Sequence, residues 1–528
     1  MRSEEMFDVV ILGSGIACTL TLQALLGRLR QGSAQRRTLR IGVVEKNPQF
    51  WRGLPYGSRS SVNSLIITTL GEFVPPEERD EFVDWLEREH PQWSRRMAML
   101  GGPAARAWLE HNAQAISARD WDEMYIPRVL YGEFAEAKLA SMVTDCESQS
   151  LARVELINGE ALAVRKGSRC FEVELDREGV GRSRLASALV LLAVGSPPYS
   201  RLPGSEALES SGGVYVNNAY EPSLDANFAR VRATMSGIPA GERNLLVVGS
   251  NATSLELLYL LERSKAWSEF DSVVVLSTGG TLPHRMSRDR FQAPPLPRLK
   301  ALAGAADATA DDVIAAAEED VAEIGSDMRL GDAFHHLGQV LGALLESLDV
   351  AEQQRFHHVH GMRFTRLIRR AGAEYRDAAE DLITRGIVRL TAGELVRLGA
   401  TGGGRAELVY RPGRERGETT HPLSFAAVIN CAGFEGVSGQ SSHPLLADLV
   451  RSGLAQVNPT GRGVMVGPTF EASSNLFVCG PLLGGVFNEA ARYWHVENVR
   501  RIHAIAQPLA GAMAERLLEA HAPAPEPA

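Results

Sequence analysis

Cysteine is scarce in this chain. Five occur in 528 residues (Cys18, Cys146, Cys170, Cys431 and Cys479), and no two form a C-x-x-C pair. That excludes a zinc ribbon and a dithiol redox centre. An odd, scattered set fits a reducing cytoplasm, which is the expected location. Long apolar runs are also missing, so no membrane span is expected. Nor is there an excess of positive charge. Lys and Arg number 55 against 64 Asp and Glu, giving a formal charge of −9. This speaks against a nucleic acid or an anionic membrane surface as partner. A Gly-x-Ser-x-Gly nucleophile elbow is absent. The charged N-terminus runs straight into an apolar strand pattern and does not read as a secretion signal. What remains is an ordinary globular composition, 45% hydrophobic and 23% charged. The length exceeds what one core usually serves, so two or three domains are expected.

The most informative stretch is Phe7-Asp8-Val9-Val10-Ile11-Leu12-Gly13-Ser14-Gly15-Ile16-Ala17-Cys18. It reads as a buried strand, a glycine turn and the start of a helix. Gly13 permits the tight turn, and Gly15 lets a pyrophosphate approach the backbone. The helix N-terminus turns its N–H groups toward the phosphates. Cys18 stands where a third glycine usually eases helix–strand packing. A second strand, residues 39–44, ends in Glu45, placed to accept hydrogen bonds from a ribose. The usual spacing is about 20 residues; a polar loop at 30–38 accounts for the excess here.

Four more apolar runs stop at glycine, as strands covered on both faces do: 188–195, 244–249, 426–433 and 475–480. The second of these opens another strand–turn–helix unit, Gly249-Ser250-Asn251-Ala252-Thr253-Ser254, followed by a strand at 271–276. Asn tolerates a left-handed backbone better than other non-glycine residues, so the turn can survive there. The alternative is a degenerate domain that binds no nucleotide. The expected fold class is α/β, with two Rossmann-like dinucleotide-binding domains, the second inserted into the first, and a helical insert. The boundaries read as 1–204 and 395–520 for the first domain, 205–299 for the second, 300–394 for a helical insert serving as a substrate lid, and a disordered tail at 521–528. The insert lacks proline, and Val313, Ile314, Ala317 and Val321 form one apolar helix face.

Further stretches stand out: Gly53-Leu54-Pro55-Tyr56-Gly57, Val62-Asn63, Phe82 to Leu86, Tyr125-Ile126-Pro127-Arg128 through Phe134, and Gly480-Pro481-Leu482-Leu483-Gly484-Gly485. With them the chain resembles the bacterial FAD/NAD(P)-binding oxidoreductases distantly related to flavin-containing and N-hydroxylating monooxygenases. The resemblance implies FAD at Gly13, Ser14, Gly15, Ile16, Ala17, Glu45 and Lys46, bordered by Arg128, Gly195, Gly480 and Pro481. It implies NADPH or NADH at Gly249, Ser250, Asn251, Thr253 and Ser254. Arg128 either lines the flavin or substrate or makes a structural salt bridge. Asn63 either bonds near the flavin or is a turn residue. His495 is the acid–base candidate, with helix packing as its other role. The implied activity is NAD(P)H-dependent oxygenation of a small amine or sulfur substrate. The alternatives are a flavin dehydrogenase or reductase and a non-catalytic flavoprotein subunit.

Two departures from the family pattern matter. Asn217 or Asn218 stands where relatives carry a histidine. Ser277-Thr278-Gly279-Gly280 replaces a Ser-Arg-Arg-Gly run, so no guanidinium awaits a 2′-phosphate unless Arg285 or Arg288 substitutes. His335-His336 and His357-His358-x-His360 lack metal-ligand spacing, and no metal is expected. Cys431 and Cys479 read as packing residues.

Overall fold

The structure, a computed structural model, describes residues 6–31, 37–286, 294–305, 307–324, 327–413 and 417–521. Within these residues the chain builds two Rossmann-like sheets. The first has eight strands, in the order Glu471–Ser473, Leu476–Val478, Gly181–Leu192, Phe7–Leu12, Leu39–Glu45, Ala152–Asn158; Phe171–Arg177 pairs antiparallel with the first half of Gly181–Leu192, and Glu160–Lys166 pairs with Phe171–Arg177. Every residue of Phe7–Leu12 is buried. This strand pairs in parallel with Leu39–Glu45 on one side and Gly181–Leu192 on the other. An unbroken apolar run suits a strand with both faces covered, and the helices Ile16–Gln31 and Val499–His521 pack together beside it.

The second sheet has seven strands, in the order Thr419–Phe425, Arg405–Pro412, Val388–Thr401, Ser272–Ser277, Asn244–Val248, Ala427–Asn430, Val214–Val216. Its dinucleotide-type centre is parallel, and the first two strands form an antiparallel extension. This corrects the expected boundaries. The strand at 427–430 belongs to the second sheet, between Asn244–Val248 and Val214–Val216. The first sheet regains strands only at 471–478. An apolar strand ending in glycine looks the same in either sheet, so the pattern could not assign it.

The helical insert is shorter than 300–394. Its own core joins Leu299, Val313, Ile314, Ala317, Leu341 and Phe364, and runs from Leu296 to Ile368. The expected face of Ala310–Ile324 is the buried one. Helix Ala373–Thr384 packs instead on Ala252–Arg263 of the second domain, where Tyr375 meets Tyr259 edge-on at 5.3 Å. Val388–Thr401 is a strand. Of the expected tail, His521 ends the last helix and 522–528 lie outside the described residues.

The chain passes between the two sheets twice, and the passages lie side by side. Tyr199 and Phe434 form an antiparallel bridge. The Ser200 N–H donates to the Gly433 carbonyl at 3.2 Å, and the Glu435 N–H to Pro198 at 2.8 Å.

Candidate functional site

One cleft of about 2200 Å³ runs between the sheets, with the insert as its third wall. The first glycine turn opens into it through Gly13, Gly15, Ile16 and Ala17. Gly13 has φ +95°, and a Cβ there would lie 2.5 Å from the Ala193 carbonyl oxygen. No other residue fits that position without moving the strand. Its N–H donates to the Val44 carbonyl at 2.8 Å, tying the turn to the second strand. Ser14 is fully buried and faces away from the cleft; its N–H and hydroxyl donate to Glu45 Oε2 at 3.0 and 2.9 Å. Glu45 Oε1 accepts from the backbone and side-chain N–H groups of Asn47 at 2.9 and 2.8 Å. The Glu45 carboxylate thus braces the turn while reaching the cleft wall beside Lys46. Gly195 and Pro481 line the cleft as well, whereas Gly480 is buried against Ala17.

The second turn repeats this plan. Gly249 has φ +105°, its Cβ position is filled by the Cys431 carbonyl, and its N–H donates to Leu276 at 2.8 Å. Asn251 differs from expectation. It is an exposed helix N-cap at φ −98°, so the turn needs no left-handed residue there. The Ser254 hydroxyl is turned inward to the Gly249 carbonyl, and Ser254 does not reach the cleft. Gly249, Ser250, Asn251 and Thr253 do. The Ser250 hydroxyl is buried with no hydrogen-bond partner. Register places Ser277 where the first sheet has Glu45, because Leu276 pairs with Val248 as Val44 pairs with Leu12.

Between the turns sits a buried ion pair that crosses the domains. Arg128, first residue of helix Arg128–Ser148, meets Glu256 of helix Ala252–Arg263 through two bonds of 2.5 and 2.9 Å. The side chains are 13% and 2% exposed, so the charges rely on each other. Ser64 and Tyr220 also donate to Glu256, each at 3.0 Å. Burial works against the Arg128 charge, yet Glu256 holds its pKa above the ordinary arginine value. Of the two sequence readings of Arg128, the geometry shows the salt bridge, on the cleft wall.

Asn63 lies away from the cleft. Its amide donates to the Gly101 carbonyl at 3.2 Å and its backbone N–H to Ser61, so it is a turn residue packed on another loop. His495 lines the cleft. Its Nδ1 is 2.6 Å from Glu497 and its Nε2 is 2.9 Å from Arg501. A guanidinium only donates, so Nε2 accepts and Nδ1 carries the proton toward Glu497. Burial opposes ionisation of Glu497, but His495 holds its pKa below the usual value. Asn217 and Asn218 both line the cleft; Asn217 bonds Tyr215 and Asn430, and Asn218 caps Tyr220. Arg285 is committed to Asp377 through bonds of 2.6 and 3.0 Å, and Arg288 lies outside the described residues. Cys431 and Cys479 are buried, and burial pushes both thiols up to about 12.

The sequence reading did not single out Glu256. Its signal was present: a lone carboxylate among Leu255, Leu257 and Leu258 must have a partner if buried. Among the described residues no group of three His, Cys, Asp or Glu could hold a metal, and no helix is long and apolar enough to cross a membrane.

A profile of FAD-NAD(P)-binding proteins matches residues 10–197, which hold the first turn and all of its sheet but the strands at 471–478 and the start of Phe7–Leu12. An uncharacterized protein of Mycobacterium tuberculosis is 36% identical over 515 residues, covering 96% of this chain and 95% of the relative. The chain belongs to the FAD/NAD(P)-binding oxidoreductase family. It is an enzyme that depends on FAD and a nicotinamide coenzyme. This oxidoreductase shares its fold with a cadaverine monooxygenase of Erwinia amylovora, solved with FAD (TM-score 0.54, 12% identity, 97% and 95% of the two chains). It shares it too with the ornithine N-hydroxylase of a Kutzneria species (0.52, 12%, 97% and 99%) and the ornithine hydroxylase of Pseudomonas aeruginosa (0.52, 14%, 97% and 100%).

Proposed function

We propose that this oxidoreductase is a monooxygenase that uses NADPH or NADH to oxygenate a small amine or sulfur nucleophile. The observation that carries the reading is the single cleft. It joins both glycine turns and continues under the helical insert, so one space can take coenzyme, flavin and substrate together. The likeness in fold to an ornithine N-hydroxylase, a cadaverine monooxygenase and an ornithine hydroxylase covers 97% of the chain.

The first turn suits FAD. Gly13, Gly15, Ile16 and Ala17 offer backbone N–H groups to a pyrophosphate at a helix N-terminus. Glu45 and Lys46 would hold the ribose, and Gly195 and Pro481 line the same cleft and would border the cofactor. When bound, FAD supplies the hydride acceptor and the oxygen chemistry. Gly249, Ser250, Asn251 and Thr253 receive the nicotinamide coenzyme. Ser277 brings neither a carboxylate nor a guanidinium to the ribose, which favours acceptance of either coenzyme. Arg128 positions the second domain through Glu256. His495 shares its proton with Glu497, which makes this pair the proton-handling group of the cleft. The five free cysteines suit work in the reducing cytoplasm.

The test is anaerobic reduction of the purified flavoprotein by NADH and by NADPH, followed by reaction with oxygen in the presence of candidate amines and thioethers. The proposal expects oxygen uptake matched by oxygenated product. Full release of oxygen as hydrogen peroxide with every such compound, alongside fast electron transfer to a quinone, would establish the reductase reading instead.

A further inference from the structure

Nine arginines line the cleft. Arg59, Arg128, Arg201, Arg370 and Arg462 each have a carboxylate partner. Arg501 bonds His495 instead, and Arg500, the exposed Arg366 and the half-buried Arg369 have no carboxylate partner among the described residues. The Arg369 Nε is buried without any hydrogen-bond partner. Burial and the neighbouring Arg366 both push the Arg369 pKa below the usual arginine value. A neighbouring like charge with no acid between costs stability, and an unpaired buried donor costs more. Such an arrangement lacks an anion.

The surroundings define what carries that anion. Helix Asp327–Ser347 turns Gly338, Leu341, Gly342 and Leu345 to the cleft, at the spacing of one helix face. Nothing lies within 4 Å of where a Cβ on Gly338 or Gly342 would stand, so the two glycines leave a slot open along an apolar wall. Ile368 lines the cleft between the two arginines. Three residues beyond Arg369, the Gly372 N–H donates to the first-domain Ile67 carbonyl at 2.9 Å, which ties this corner to the flavin domain.

We propose that Arg366 and Arg369 form the receptor for an anionic group, a carboxylate or phosphate, on a ligand whose apolar body lies along the glycine face of the insert. The inference rests on the cleft being the reaction site, and it gives the substrate its class: an amphiphile with an anionic head. A 2′-phosphate of NADPH has the same chemistry and is the other source of such an anion.

The experiment is binding, with no turnover needed. Sodium octanoate and 1-octanol are titrated into the FAD-loaded protein, followed by flavin absorbance. NADPH and NADH are titrated in parallel by anaerobic reduction. The variants are Arg366→Gln/Arg369→Gln and Gly342→Leu, each checked for an unchanged flavin spectrum. Loss of charge-assisted bonds predicts octanoate binding about 10- to 100-fold weaker in the double variant, with octanol unchanged. Gly342→Leu weakens both probes. An unchanged octanoate affinity with NADPH selectively weakened assigns the anion to the 2′-phosphate. No change for octanoate or NADPH overturns the receptor. Failure to oxygenate any nucleophile would overturn the monooxygenase reading and leave these affinities as measured.

Discussion

The two glycine turns are one design in two states of upkeep. Both put a left-handed glycine under a carbonyl of the strand next door, Ala193 for Gly13 and Cys431 for Gly249, and both donate from that glycine to the second strand. They part at the side chains. In the first, Ser14 is held by Glu45, and Gly15 keeps the helix end open. In the second, Ser250 has no partner, Ser277 replaces the carboxylate, and Asn251 sits exposed at the helix start. Backbone geometry survives where sterics enforce it; side-chain chemistry drifts where a different nucleotide, or a looser grip, suffices.

Breaking the shared part comes first, as the largest effect. Gly13→Ala and Gly249→Ala each combine backbone strain with overpacking, about 4 kcal/mol together. The first is expected to yield protein without flavin, read as absorbance per mole. The second is expected to yield yellow protein that no coenzyme reduces. Full reduction of Gly249→Ala would remove the second turn from the mechanism.

Next is the residue at the same helical position in each unit, Leu20 in one and Glu256 in the other. Glu256→Ala strands Arg128 in the interior and is expected to cost about 3 kcal/mol in thermal unfolding. Arg128→Met with Glu256→Leu is expected to recover most of it, because packing replaces the pair without a stranded charge. Smaller again is Glu45→Gln, which weakens the brace on Ser14. About 2 kcal/mol corresponds to roughly 30-fold weaker FAD binding to the apoprotein. Smallest is Ser277→Glu, which gives the second turn the first turn's carboxylate. NADPH is expected to weaken about 10-fold relative to NADH, with FAD unaffected.

The strands of both turns were legible because each is a short apolar run closed by glycine, and Glu45 because it ends the second run. Sheet membership was not. The strand 427–430 has the same character as a first-sheet strand, and only pairing decides between them. Asn63 sits in a family-like stretch, yet its amide turns toward Gly101; local motif does not set side-chain direction. The Arg128–Glu256 pair spans 128 positions of sequence, and nothing local to either residue names the other. The insert's limits were blurred because Ala373–Thr384 is as helical in pattern as its neighbours, although it packs elsewhere.

The paired passages at Tyr199 and Phe434 have a practical consequence. A domain that enters and leaves its host at adjacent points can be lifted out as a cassette. Ser200 and Gly433 are already hydrogen-bonded, so a few residues suffice to close the host chain behind the excision. The cassette's two ends, equally near, can be joined to each other. The molecule is thus a host and a guest that share a doorway, and parting them also parts Arg128 from Glu256.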